Sequence, residues 1–265
     1  MPETLQPLRR TWGMRYSRPG IVAVLLATEV FIGGAILWTL RGGHWMWPAQ
    51  AAGLHHVSQG GRTFAPIDAG NAPHVVIDDP DTHVVISPST DGKVHVVDDT
   101  RTVGWVWGTP ASNTVSVAKT TDGVSITRRG AEEIAVIGLD FQHTDVQVPP
   151  GAFVDVRRCG GADLNGLSGQ VRVHSVDGSI KGRDLRITGG RIDTDEGRVR
   201  LAFAGANLNV HASAQDGSIR LDGKRLVRDE DLDTAVASVQ IGTGGEPLDV
   251  SSKDGSIYIT TNGAL

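Results

Sequence analysis

The chain has 265 residues and 34 glycines, close to twice the ordinary share of about 7%, while aromatic residues make only 5%, so the backbone turns often and few rings fill the core. A formal net charge of −5 excludes a general electrostatic hold on nucleic acid, which needs a basic surface. A single cysteine, Cys159, excludes an intramolecular disulfide.

Residues 21–40, from Ile21 to Leu40, form an apolar run that as a helix rises about 1.5 Å per residue and matches the hydrocarbon core of a bilayer. Arg9, Arg10, Arg15 and Arg18 precede it, and only Arg41 follows before Arg62. The positive-inside rule therefore predicts a cytoplasmic N-terminus over residues 1–20, a single-pass transmembrane signal anchor over 21–40, and an extracytoplasmic remainder at the cell membrane. Trp12 and Tyr16 on one side, and Trp38, Trp45 and Trp47 on the other, supply rings at the headgroup levels. The competing reading is a cleaved signal peptide, with Ala49-Gln50-Ala51 as the cleavage site; the length of the run and its distance from that site favour retention. Glu29 sits near mid-span, where an ionised carboxylate costs at least ~2.5–3.5 kcal/mol. Gly33 lies four residues on, on the same helical face, which lets a second copy approach and share a hydrogen bond with a protonated Glu29. Tolerance of a neutral Glu by a strong anchor is the plainer account.

Residues 41–66, rich in Gly, Ala, Gln and His, read as a linker. From 67 to 265 the chain reads as strand after strand: His74–Asp78, His83–Ser87, Lys93–Val97, Thr114–Ala118 and Val124–Ile126 are β-branched runs bounded by Asp, Gly, Pro and Asn. Further on, Asp177-Gly-Ser-Ile180, Glu196-Gly-Arg-Val199, Asp216-Gly-Ser-Ile219 and Asp254-Gly-Ser-Ile257 repeat one pattern, their glycines 19, 20 and 38 residues apart. A unit of about twenty residues with two short strands cannot bury its apolar face alone, but stacked copies share one core. The expected fold is all-β: a parallel β-solenoid, a single-stranded β-helix of about 20 residues per coil, with residues 140–265 making about six coils. The Asp-Gly pairs are expected to supply the left-handed backbone that a tight corner needs. A β-sandwich is the alternative, but it requires no constant period.

The segment Val146-Gln-Val-Pro-Pro-Gly-Ala-Phe-Val-Asp-Val156, the units ending in Asp-Gly-Ser-Ile, and the closing Gly244-Gly-Glu-Pro-Leu-Asp-Val-Ser-Ser-Lys-Asp-Gly-Ser-Ile-Tyr-Ile259 resemble the bacterial putative-adhesin, β-strand-repeat domain family of unknown function, over about residues 70 to 265. The resemblance implies an envelope protein with a β-solenoid and brings no catalytic residues. Residues 98 to 113 depart from the repeat and look like an insertion.

Residues that could carry chemistry have ordinary readings beside the functional ones. The acids Asp177, Glu196, Asp216 and Asp254 could form a calcium- or glycan-directed ladder, but corner formation accounts for them, and no G-G-x-G-x-D tandem occurs. The histidines show no H-x₃₋₅-H or H-E-x-x-H spacing. Cys159 follows Arg157 and Arg158, which would favour a thiolate, though a core position is the simpler reading. Lys224 to Asp233 carries three bases and then four acids and reads as a solvated loop. Trp105 and Trp107 alternate and share a strand face, as a ligand or partner surface or as a cap on the open end of the stack. The chain thus reads as a membrane-anchored envelope protein and no enzyme, with no cofactor or metal. Its expected partners are the bilayer through residues 21–40, an envelope glycan or membrane protein, and a second copy through Glu29 and Gly33. A sensor component of an envelope-stress system is the alternative role, and a glycan-active β-helical enzyme a more distant one.

Overall fold

The computed structural model describes residues 54–59, 61–99, 101–107, 115–128, 134–141, 143–226 and 234–261. Contacts divide the chain into two units, Met1–Leu54 and His55–Leu265, and the fold described belongs to the second. The predicted anchor, with Glu29 and Gly33, lies outside the described residues, among which no helix is long and apolar enough to cross a membrane.

Every described element is a strand. In chain order these are β1 (Leu54–Gln59), β2 (Arg62–Thr63), β3 (His74–Pro88), β4 (His95–Asp98), β5 (Arg101–Trp107), β6 (Val115–Lys119) and β7 (Gly123–Arg128). Then come β8 (Ile134–Phe141), β9 (His143–Val148), β10 (Phe153–Asn165), β11 (Gln170–Ser175), β12 (Ile180–Leu185), β13 (Gly189–Glu196) and β14 (Val199–Phe203). The chain finishes with β15 (Leu208–Ala214), β16 (Ile219–Leu221), β17 (Lys224–Arg225), β18 (Ala235–Ile241), β19 (Pro247–Asp254) and β20 (Ile257–Thr260). Strands β1, β5 and β8 form a small sheet, and the other 17 form one curled, parallel-rich sheet.

Alternation decides which way each side chain points. In β11, Val171, Val173 and Ser175 are buried and Gln170 and Arg172 exposed, and β15 repeats the pattern with Leu208, Val210, Ala212 and Ala214 inward. The sheet folds at a corner into two flanks that share one aliphatic core of Val, Ile and Leu. β3 and β10 run through that corner, each giving its first half to one flank and its second half to the other. The first flank runs β6, β7, β3, β10, β11, β13, β19, β15, β18. The second runs β2, β4, β9, β3, β10, β12, β14, β20, β16, β17. Pairing is parallel inside both flanks and antiparallel at their ends.

This architecture is solenoid-like but departs from a single-stranded β-helix at both ends. The coil of β7 and β9 lies outside that of β3, which precedes it in sequence, and the coil of β19 and β20 inserts between β13/β14 and β15/β16. The 38-residue glycine interval therefore holds no skipped coil. Residues 222–246 contain no further acid-Gly-x-Ile or acid-Gly-x-Val corner and supply the antiparallel strands β17 and β18 instead. From Phe153 onwards there are five coils, where the period predicts about six over 140–265.

The corner glycines also act differently from expectation. Only Gly197 of the four has a positive φ, 125°. What excludes a side chain is close approach: a Cβ on Gly178 would lie 1.6 Å from the Gly160 carbonyl oxygen, one on Gly255 1.7 Å from that of Gly197, and one on Gly217 1.8 Å from that of Gly255. The glycines form a column in which each coil touches the next through bare backbone.

Within the stretch that reads as a linker, β2 pairs with β4 and the Phe64 amide donates to the Val96 carbonyl at 3.0 Å, and just after it Ile67 bridges Val94. Phe64 and Ile67 pack on the core, so the folded part begins before residue 67. Phe64 near the end of a Gly- and His-rich stretch and Ile67 just after it pack against the core, a signal too short to show periodicity.

Candidate functional site

The interior of the corner is polar but closed. Arg128 Nε donates to Asp79 Oδ1 at 2.6 Å, and its Nη2 donates to Asp98 Oδ1 at 2.9 Å and Thr144 Oγ1 at 3.0 Å, while Thr144 Oγ1 donates to Asp79 Oδ2 at 2.8 Å. Burial opposes the Arg128 charge, but hydrogen bonds to Asp79 and Asp98 outweigh it and hold its pKa above the ordinary value. Cys159 continues the same row, is buried, and has its thiol pushed up to about 11 by that burial, with hydrogen bonds from the Gly161 backbone and Ser175 acting the other way. Arg157 and Arg158 point outward at a bulge, Arg158 pairing with Asp78 at 2.9 Å, so neither activates the thiol.

Next in the row come small hydroxyls. Ser175 Oγ donates to Gly178 O at 3.0 Å, Thr194 Oγ1 lies 2.8 Å from Glu196 O and 3.0 Å from Gly178 O, and Ser252 Oγ donates to Gly197 O at 3.2 Å. Each hydroxyl stands three residues before its corner glycine, a signal present in the sequence beside the acid-Gly pattern.

Chemistry open to solvent lies on the outer faces. On the first flank several charges are paired: His174 Nδ1 lies 2.6 Å from Asp193 Oδ2, Arg191 Nε 2.9 Å from Asp193 Oδ1, and Lys253 Nζ 2.5 Å from Asp195 Oδ1. The Lys253 hydrogen bond lowers the Asp195 pKa, and the same contact raises that of Lys253. The ring of Phe153 stacks on His74 at 4.6 Å, with the Arg172 guanidinium over its face at 5.8 Å.

The second flank differs. Lys181, Arg200, Tyr258 and Arg220 occupy one row across β12, β14, β20 and β16, and Arg225 stands opposite Arg220 on β17. Arg200 and Arg220 place their guanidinium carbons 5.4 Å and 5.9 Å from the Tyr258 ring centroid. Lys181, Arg183, Arg200, Arg220, Gly223, Tyr258, Ile259 and Thr260 line a depression of about 550 Å³ that contains four cations and no carboxylate.

Trp105 and Trp107 lie on β5, which pairs with β8 outside the main sheet, so residues 101–107 do leave the repeat. The pairing register shifts between Trp105 and Val106, a bulge that simple alternation does not anticipate. Asp177, Glu196, Asp216 and Asp254 are exposed at the corner, Glu196 in register with Asp254. Among the described residues no three His, Cys, Asp or Glu side chains gather as metal ligands.

A family model described as Toastrack DUF4097 matches residues 157–260, the stretch that contains the glycine column. Among curated proteins none matches the chain. A solved structure of a putative cell adhesion protein from Clostridium sporogenes ATCC 15579 is similar at a TM-score of 0.51 and 10% identity, covering 77% of this chain and 99% of that one. A putative adhesin from Bacteroides fragilis NCTC 9343 aligns at 0.28 and 10% identity, over 77% and 97%. The first of these likenesses bears on the fold.

Proposed function

We propose, from the premise that residues 157–260 carry a Toastrack DUF4097 domain, that the chain is a non-catalytic display protein which adheres through the outer faces of its curled sheet. The observation that carries this reading is the division of labour between the two sides of each strand. Inward positions among the described residues are filled by aliphatic residues, by hydroxyls turned onto corner carbonyls, and by the buried Arg128–Asp79–Asp98 cluster whose charges are spent on one another, so the groups open to a ligand stand on the outside. The description of the Clostridium sporogenes protein as a putative cell adhesion protein supports the same role. In this reading residues 21–40 hold the chain in a bilayer with residues 1–20 cytoplasmic, Glu29 and Gly33 bring two anchors together, and Trp105 and Trp107 add a contact surface.

The test is retention of the full-length chain, in detergent, on an array of glycans and cell-envelope fractions, with the Trp105→Ala/Trp107→Ala double variant alongside. Saturable retention without turnover of the bound material is the expected result. Release of cleaved glycan, or no retention on any spot, would overturn the reading; equal retention of the double variant removes only the two tryptophans from the surface.

A further inference from the structure

We propose that the row Lys181, Arg200, Tyr258 and Arg220 binds a linear anionic polysaccharide, one that carries carboxylate or sulfate groups. This names the ligand class of the adhesive surface and to that extent rests on the reading above.

The row arises from stacking. Each of its residues is the third after a corner glycine, and the parallel register brings positions from 181 to 258 onto neighbouring strands about 4.8 Å apart. Arg225 extends the line by one more strand. A chain with 30 acids and 25 Lys and Arg residues gives no compositional reason for four cations and no acid around one depression. Elsewhere on the outer surface several basic groups sit beside carboxylates, as Arg191 does beside Asp193 and Arg158 beside Asp78. Among the described residues Arg183, Arg200 and Arg220 have no carboxylate partner, and Lys181 meets Asp163 only at 4.0 Å. Asp222, the nearest acid along β16, accepts from the Thr261 amide and hydroxyl at 2.8 Å each.

Tyr258 gives the row its geometry. The Arg200 and Arg220 guanidinium carbons lie 5.4 Å and 5.9 Å from its ring centroid, within reach of a cation–π attraction that favours their placement before a ligand arrives. A planar guanidinium so placed meets a carboxylate or sulfate with two parallel hydrogen bonds. The same contacts argue against nucleic acid: with both guanidiniums on the ring, Tyr258 offers bases no free stacking platform. A bilayer surface fits less well too. Insertion needs projecting apolar side chains, and the large exposed hydrophobics among the described residues, Val176 and Val236, do not line the depression.

The experiment measures binding of the full-length chain to immobilised polygalacturonate and dextran sulfate, with uncharged dextran as reference. Binding to the two anionic polymers and none to dextran is expected, falling steeply as salt is added. Arg200→Gln/Arg220→Gln should weaken binding at least tenfold at an unchanged Tm, Tyr258→Leu about threefold as the guanidiniums lose their support, and Arg191→Gln on the first flank not at all. If the double variant does not fold, Lys181→Gln/Arg183→Gln takes its place with the same expectation. Parent-like binding by these variants, equal retention on dextran, or tighter binding of duplex DNA or anionic vesicles would overturn the proposal. Retention on the array of glycans and envelope fractions, together with indifference to both anionic polymers, would sink this proposal and leave the adhesive reading standing.

Discussion

Where β11, β13 and β19 reach the corner, the inward residue is Ser175, Thr194 or Ser252; where β7 and β3 reach the same row it is Arg128 and Asp79. The two halves of the stack solve one problem with different chemistry. Small hydroxyls satisfy carbonyls in their own or the adjoining corner, so coils can approach until only glycine fits between them. A guanidinium cannot be satisfied locally. Arg128 draws on Asp79 of β3, Asp98 of β4 and Thr144 of β9, and so ties the antiparallel end of the second flank to the parallel stack. Repetition gives close stacking, and its interruption gives a fastened end.

The contrast can be broken most severely at the glycine column. Gly178→Ala puts a Cβ where the Gly160 carbonyl oxygen stands, and a loss of about 4 kcal/mol or more, or failure to fold, is expected in denaturant titration. A loss below about 1 kcal/mol would mean that the corners are not closely stacked. Next is Asp79→Leu, which leaves Arg128 buried without its main partner and should cost about 3–5 kcal/mol, whereas Asp79→Leu/Arg128→Met should recover much of that loss. A double variant no better than the single one would show that the charges hold the end by more than mutual satisfaction. The smallest effect is expected outside. Lys253→Met should let the Asp195 pKa rise back towards its ordinary value, read by NMR titration, with Tm at neutral pH unchanged. The sign follows from the lowered pKa: what this pair contributes is present above the unfolded value, about 4, and is lost as pH falls through the folded one.

Much of the regular half was legible because its signals are local. Alternation of Val, Ile and Leu set the inward faces, and the acid-Gly-x-Ile/Val units marked the corners. The order of coils was not legible, since a parallel strand in register with Ile192 can be Val173, Ala212 or Val250 on equally apolar grounds. The ionic end could not be read either: Asp79, Asp98, Arg128 and Thr144 come from four strands and share no spacing. The basic row is an intermediate case. Lys181, Arg200, Arg220 and Tyr258 hold one offset from their glycines, a regularity that becomes a row only when parallel stacking sets those offsets side by side.

Placing β19 and β20 between earlier strands has a consequence for synthesis. A ribosome releases the chain from its N-terminus, and β13 and β14, docked on β11 and β12, emerge long before β19 and β20, which will cover their other edges. Until the last residues are free, those two strands keep bare edges that can pair with other nascent chains, and β15 and β16 have nothing parallel to dock on. A nascent chain stopped short of Pro247 would therefore not be a shorter stack with one coil missing, but two separated pieces with a gap between them.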